Sequence, residues 1–275
     1  MNPLVPGELH RKHYRFDCPA APLAALIPVG AQACVQVANR IAGLGVMLTL
    51  HDLTPDDTRR FLSFPENGLH FAPEEVTAIH GIDLHGSACT AFSLEFAIAG
   101  EPRAVSIALT PQESGQRTVQ EHLIAFAAGE IDETEYDRWH DENQATAKMC
   151  PCCLETANHR RANPRATPLA RILRCAAAHK TALRCSILAP EYGFSTWLTP
   201  GTTICRNGRI EVASWHEPAV LEIDPGACHS YWIGTERLDG EWFTTMRVFD
   251  SHGCPHLQIS ARGRSHTARW EPFCG

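Results

Sequence analysis

The sequence predicts an α+β protein of two similar halves, each a mostly antiparallel β-sheet with flanking helices. Three observations predict it. The last third alternates side chains with a period of two between short Asp/Gly turns, the pattern of an antiparallel meander. Pro-Leu-Ala opens a helical run twice, in "APLAALI" (Ala21–Ile27) and in "TPLARILRCAAAH" (Thr167–His179). "IDLHGSACTAF" (Ile82–Phe92) also lies against "IDPGACHSY" (Ile223–Tyr231): Ile-Asp, Gly, Ala-Cys, then an aromatic three residues after the cysteine, with two one-residue shifts. Together they describe a duplicated unit of roughly 130 residues. The expected division is an N-terminal α+β repeat over 1–130, a helical, cysteine-rich linker over 131–166 and a C-terminal α+β repeat over 167–275.

The elements follow in chain order. After "APLAALI" come the strand-like "ACVQVANRI", "GVMLTL", "TAFSLEFAIAG" and "AVSIALT" (Ala104–Thr110). Two helices are expected in the middle. "SGQRTVQEHLIAFAAGE" (Ser114–Glu130) places Val119, Leu123, Phe126 and Ala127 on one face, and "DETEYDRWHDENQATAK" (Asp132–Lys148) is polar and acidic. Thr167 then caps a helix with Pro at its first position and Leu169, Ile172, Leu173 and Ala176 at helical spacing. "TALRCSILA", "GFSTWLT", "RIEVASW" and "AVLEI" read as short strands. "HSYWIGTE", "EWFTTMRVFD" and "PHLQISARG" form the meander, turned at "RLDG" and "SHG". Within it Trp242, Thr244, Met246 and Val248 alternate with Phe243, Thr245, Arg247 and Phe249.

Composition narrows the function. Of the 275 residues, 44% are hydrophobic and 20% charged, as in an ordinary soluble globular protein. A net charge of -7 argues against a general nucleic-acid binder. The N-terminal stretch has no apolar run of signal-peptide length, and no segment is apolar enough to enter a membrane. A cytoplasmic location is the expectation. The twelve cysteines, spread from Cys18 to Cys274, are then expected to be free thiols buried like small hydrophobes.

The stretch "CHSYWIGTERLDGEWFTTMRVFDSHGCPHLQISARG" resembles the heme-utilisation proteins of the HemS/ChuX type, cytoplasmic heme carriers or heme-degrading proteins built from two similar α+β halves. Trp232, Asp239-Gly240, "FTTMRVFD", Gly253 and Arg262 fall where that family has a Trp-containing strand, an Asp-Gly turn, a Thr-Ser-Leu-Glu-Leu-Phe-Asp-like strand, a Gly turn and a Gly-x-Arg ending. "SIALTPQESGQRTVQEHLIAFA" is similar to the family's strand, Leu-Thr and helix. The chain departs from the family in having "GTERL" where Arg-Lys-Pro usually follows the Trp strand, and in lacking a His-Gly motif. The resemblance implies a heme-binding protein that passes heme to or from a partner protein, or opens it oxidatively as an oxygenase-like enzyme. The family's axial histidine lies ahead of the second-half helix, where this chain has "CPCCLETANHRR".

Heme, or another acidic planar molecule, asks for an axial donor, a flat apolar slot and cations near its carboxylates. His159 offers an imidazole, and Cys150, Cys152 and Cys153 offer thiolates. Arg160, Arg161, Arg165, Arg171 and Arg174 form a basic run suited to carboxylates, and Arg262 adds to it. The same run can instead pair with the acidic helix before it. Cys150 and Cys153 also form a C-x-x-C. With Cys152 and His159, or with Cys175 or Cys185, this is the alternative of a structural zinc on a protein without heme activity. A redox reading is weaker, because "NQATAK" before the cysteines is no buried strand. No phosphate-cradling glycine motif, serine nucleophile elbow or His-Glu-x-x-His occurs. His80 and His85 read as surface residues at a strand edge. Trp232, Trp242, Phe243 and Phe249 read as sheet core rather than cofactor slot.

Overall fold

A computed structural model describes residues 10–51, 54–55, 60–85, 90–98, 100–109, 116–143, 151–238 and 240–273. The chain divides into two compact units. Unit 1 comprises Met1–Val35, Leu48–Glu66 and His70–Ala145; unit 2 comprises Gln36–Met47, Asn67–Leu69 and Thr146–Gly275.

The first half of the chain runs β1 (His10–Phe16), α1 (Ala20–Ala24), β2 (Gln32–Ala38), β3 (Ala42–Thr49), β4 (Thr54–Pro55), β5 (Leu62–Phe64), β6 (Leu69–Phe71), β7 (Val76–His85), β8 (Thr90–Ile98) and β9 (Glu101–Leu109). It continues through α2 (Gln116–Ala125), β10 (Gly129–Ile131) and α3 (Glu133–Asn143). In unit 1 the strands lie in the order β10-β1-β7-β8-β9, with β2 next to β9. Phe92, Leu94, Phe96, Val105 and Ile107 are buried on this sheet. Gly81 is needed there: an added Cβ would stand 2.8 Å from the Phe92 ring and 2.9 Å from that of Phe16.

The second half runs α4 (Pro151–Ala162), α5 (Pro168–Ala178), β11 (Leu183–Leu188), β12 (Tyr192–Leu198), β13 (Pro200–Arg206), β14 (Arg209–Ser214) and β15 (Ala219–Ile223). Then follow β16 (Ser230–Leu238), β17 (Glu241–Phe249), β18 (Pro255–Arg262) and α6 (Thr267–Trp270). Unit 2 holds the strands β16-β17-β18-β11-β12, while β13-β14-β15 pair onward to residues 42–46 of β3. α5 starts as its sequence requires: Thr167 Oγ1 accepts from the Ala170 N–H at 3.4 Å, and Leu169, Ala170, Ile172, Leu173 and Ala176 are buried.

The α+β class and the two similar halves hold. In each, the last strand of a three-strand meander lies beside the first strand after a Pro-Leu-Ala helix: β7-β8-β9 beside β2, and β16-β17-β18 beside β11. That order matches β7 to β16, so the likeness of Ile82–Phe92 to Ile223–Tyr231, which would match β8 to β16, is not part of the repeat. Within the cysteine-rich segment, residues 151–162 form α4. Three local expectations differ from the structure. His80 is no surface residue but is 2% exposed within β7; the His85 side chain lies outside the described ones. Trp232 and Trp242 are not core, each being 42% exposed. Among the described cysteines only Cys185 and Cys228 are buried, although all nine are free thiols.

Candidate functional site

α4 carries most of the residues singled out above. Pro151 occupies its first position, where a missing N–H costs nothing. Ala157 is its one buried residue, so the helix lies on the surface of unit 2. Cys152, Cys153, Thr156 and Arg160 share a face and line a pocket of about 170 Å³ with Gly226, Cys228, His229 and Ser251. Cys150 lies outside the described residues.

Arg160 and Arg161 are fastened within unit 2. Arg160 donates to the carbonyls of Cys228 and His229, and its guanidinium sits 5.7 Å from the Tyr231 ring centroid. Arg161 grips Asp224 with both ends of its fork, at 3.0 and 2.7 Å. Arg174 donates to the Arg165 carbonyl at 2.9 Å. Of the basic run, Arg161 takes its carboxylate from the loop after β15 rather than from the acidic helix. His159 stands exposed in the last turn of α4, and no described residue hydrogen-bonds its ring. Burial pushes the Cys228 thiol up to about 12, so it is a poor thiolate donor at neutral pH.

A second surface of unit 2 has chemistry that the sequence did not disclose. Residues in direct register share a sheet face. One row crosses all five strands as Trp232, Arg247, Gln258, Ser186 and Ser195. The next runs Gly234, Thr245, Ser260, Arg184 and Trp197, and a third joins Glu236, Phe243 and Arg262. The polar members bond along the face: Arg247 to Gln258 at 2.9 Å and to Glu236 at 2.5 Å, Thr245 to Ser260 at 2.9 Å, Ser195 to Ser186 at 2.8 Å. Two indoles stand out from it, Trp232 and the 38% exposed Trp197. Each has a guanidinium near its ring, Arg247 at 5.4 Å and Arg262 at 5.9 Å. The Trp232 ring crosses Gly234, where any Cβ would collide with it. Arg262 also pairs with Glu241 at 2.7 Å. Thr245, Ser260, Ser186 and Phe243 on this face are already buried, so what remains open is the two indoles with their guanidiniums, which suits a planar acid. The alternation in "EWFTTMRVFD" separates the two faces of β17, but with Trp242 on one and Phe243 on the other it does not say which face leaves indoles exposed.

Heme asks for a donor, flat apolar surface and cations. Unit 2 holds such groups in two places that no contact among the described residues joins: His159 on α4, whose neighbour Arg160 lies against Tyr231, and Trp197, Trp232, Arg247 and Arg262 on the sheet face that Tyr231 does not share. Zinc fares worse. Among the described residues no group of three or more His, Cys, Asp or Glu is arranged to hold a metal ion.

No protein-family model matches the chain, and no curated protein sequence does. Solved structures do. ChuS, the heme degrading enzyme of Escherichia coli O157:H7, superposes with a TM-score of 0.64 at 10% identity, over 95% of this chain and 86% of that one. A second structure of ChuS, described as an E. coli heme oxygenase, gives 0.62 at 10% identity, over 95% and 87%. Holo-PhuS, a heme-binding protein from Pseudomonas aeruginosa, gives 0.62 at 11% identity, over 96% and 86%. The chain has the fold of these heme-utilisation proteins, and the resemblance to the HemS/ChuX type holds at the level of fold.

Proposed function

We propose that this protein binds heme and serves heme utilisation, either by passing heme to or from a partner protein or by opening it oxidatively. The observation that carries the reading is the fold shared with ChuS and PhuS over 95% and 96% of the chain. Fold alone hosts many functions, so the residues must add to it. His159 is the proposed axial donor. Arg160 and Arg161, anchored to Cys228, His229 and Asp224, fix the helix turn from which it projects. Trp232 and Trp197 offer flat surface, and Arg247 and Arg262 beside them are cations that would have to turn from Glu236 and Glu241 to meet the carboxylates. Bound heme would supply the redox-active iron, with electrons from an external reductant. A cytoplasmic location belongs to the same proposal.

Titration of the purified protein with hemin tests this. The expected result is a saturable one-to-one Soret change. A linear, unsaturating change overturns the proposal. Adding a reductant and O₂ to the loaded protein then separates the two roles: an oxygenase bleaches the Soret band, and a carrier keeps it.

A further inference from the structure

Unit 1 contains a group of buried ionisable side chains that the heme reading does not use. His80, Glu95 and Ser106 lie in direct register across β7, β8 and β9, with Arg15 of β1 opposite His80. α3 lies over this row. Tyr136 donates a short hydrogen bond to Glu95, and its oxygen accepts from Arg103 Nη2 at 2.8 Å. Arg103 Nε stands 3.3 Å from the other Glu95 oxygen. His13 stacks against Tyr136 with ring centroids 4.5 Å apart, and His80 against Trp139 at 4.2 Å.

Two facts set these histidines apart. They are 3% and 2% exposed. Neither ring nitrogen of His13 has a hydrogen-bond partner, and neither does Nδ1 of His80. A buried imidazole without a hydrogen-bond acceptor must carry its charge on longer-range attraction alone, against the cost of desolvation. α3 is also thinly held. Among its described side chains Tyr136 alone is buried, with Trp139 and His140 half-buried; the others face solvent. α5, by contrast, buries five residues.

We propose that α3 is an acid-released helix, docked on the unit 1 sheet while His13 and His80 are neutral and freed when they take up protons. The surrounding charges oppose one another. His13 faces Glu133 and Asp137 of α3 and Glu95 of β8, against Arg11 of its own strand. His80 faces Arg15 and His13 of β1, both of which resist its charging. His140, on the same side of α3, faces Arg103, Glu95, Asp137 and Asp141. Burial outweighs these acids and lowers all three histidines, His80 to about 4. The sign follows by linkage. Between the free value of 6.5 and about 4 the released state binds more protons than the docked one. Docking is therefore complete above pH 6.5 and weakens as pH falls through that window. Each histidine multiplies the opening equilibrium by up to about tenfold per pH unit.

Hydrogen exchange of the full chain, read peptide by peptide from pH 7.5 to 4.5 and corrected for intrinsic rates, tests this. α3 is expected to lose protection below pH 6.5 while α5 keeps it. His13→Phe/His80→Phe is expected to hold α3 protected to at least one pH unit lower. Protection of α3 unchanged at pH 4.5, or lost together with α5, overturns the proposal in the native chain alone. A folded double variant with the native pH profile also overturns it. Should that variant not fold, His80→Phe alone must flatten the profile.

Discussion

The two meanders have the same strand order and opposite chemistry on one face. In unit 1 the row His80–Glu95–Ser106 is titratable and lies under α3. In unit 2 the row Trp232–Arg247–Gln258 presents an indole and a guanidinium, over a floor of uncharged hydroxyls at Thr245 and Ser260. The difference teaches that a fold constrains where a side chain points and leaves open what it carries. Unit 1 has used its positions for a buried, pH-sensitive contact. Unit 2 has used them for a surface suited to a planar acid.

Substitutions can break this contrast, and their expected effects fall in a definite order. Tyr136→Ala removes the single buried anchor of α3 and leaves Glu95 with Arg103 alone. It should cost unit 1 about 3–5 kcal/mol, measured by urea denaturation. Tyr136→Phe keeps the ring and loses only the hydroxyl, so about 1–3 kcal/mol is expected from the buried carboxylate left short of a donor. In unit 2, Thr245→Val leaves the buried Ser260 hydroxyl with Gln258 Nε2 as its side-chain partner, at 3.3 Å, and should cost about 1 kcal/mol. Trp232→Ala removes an indole that is 42% exposed but lies across Gly234 and beside Arg247, and stability should fall by no more than about 1 kcal/mol. Its effect belongs to ligand binding: hemin affinity should fall at least several-fold. The contrast fails if Tyr136→Phe weakens hemin binding as much as Trp232→Ala does, or if Trp232→Ala destabilises as Tyr136→Phe does.

How much of this was legible in the sequence differs by element. The second-half meander was, because its alternation and Asp/Gly turns are strong signals, and so was α5, with its cap, its proline and its apolar stripe. β1 and β7 were not: "HRKHYRF" and "VTAIHGIDLH" bury His13, His80 and Asp83, so the polar residues that mark a surface elsewhere sit inside. α4 was hidden for the opposite reason. Only Ala157 is buried on it, which leaves almost no helical stripe to detect. The cysteines drew attention to the right segment. The histidine near its end, rather than the thiols, is what the helix leaves unengaged.

His159 on α4 is the proposed axial ligand for heme in a protein of this fold. The most direct measurement is the low-temperature electron paramagnetic resonance spectrum of the hemin-loaded ferric protein beside that of His159→Ala. A nitrogen-ligated signal in the native protein, lost or replaced in the variant while both remain folded, is the predicted result. Identical signals from the two proteins would contradict the assignment.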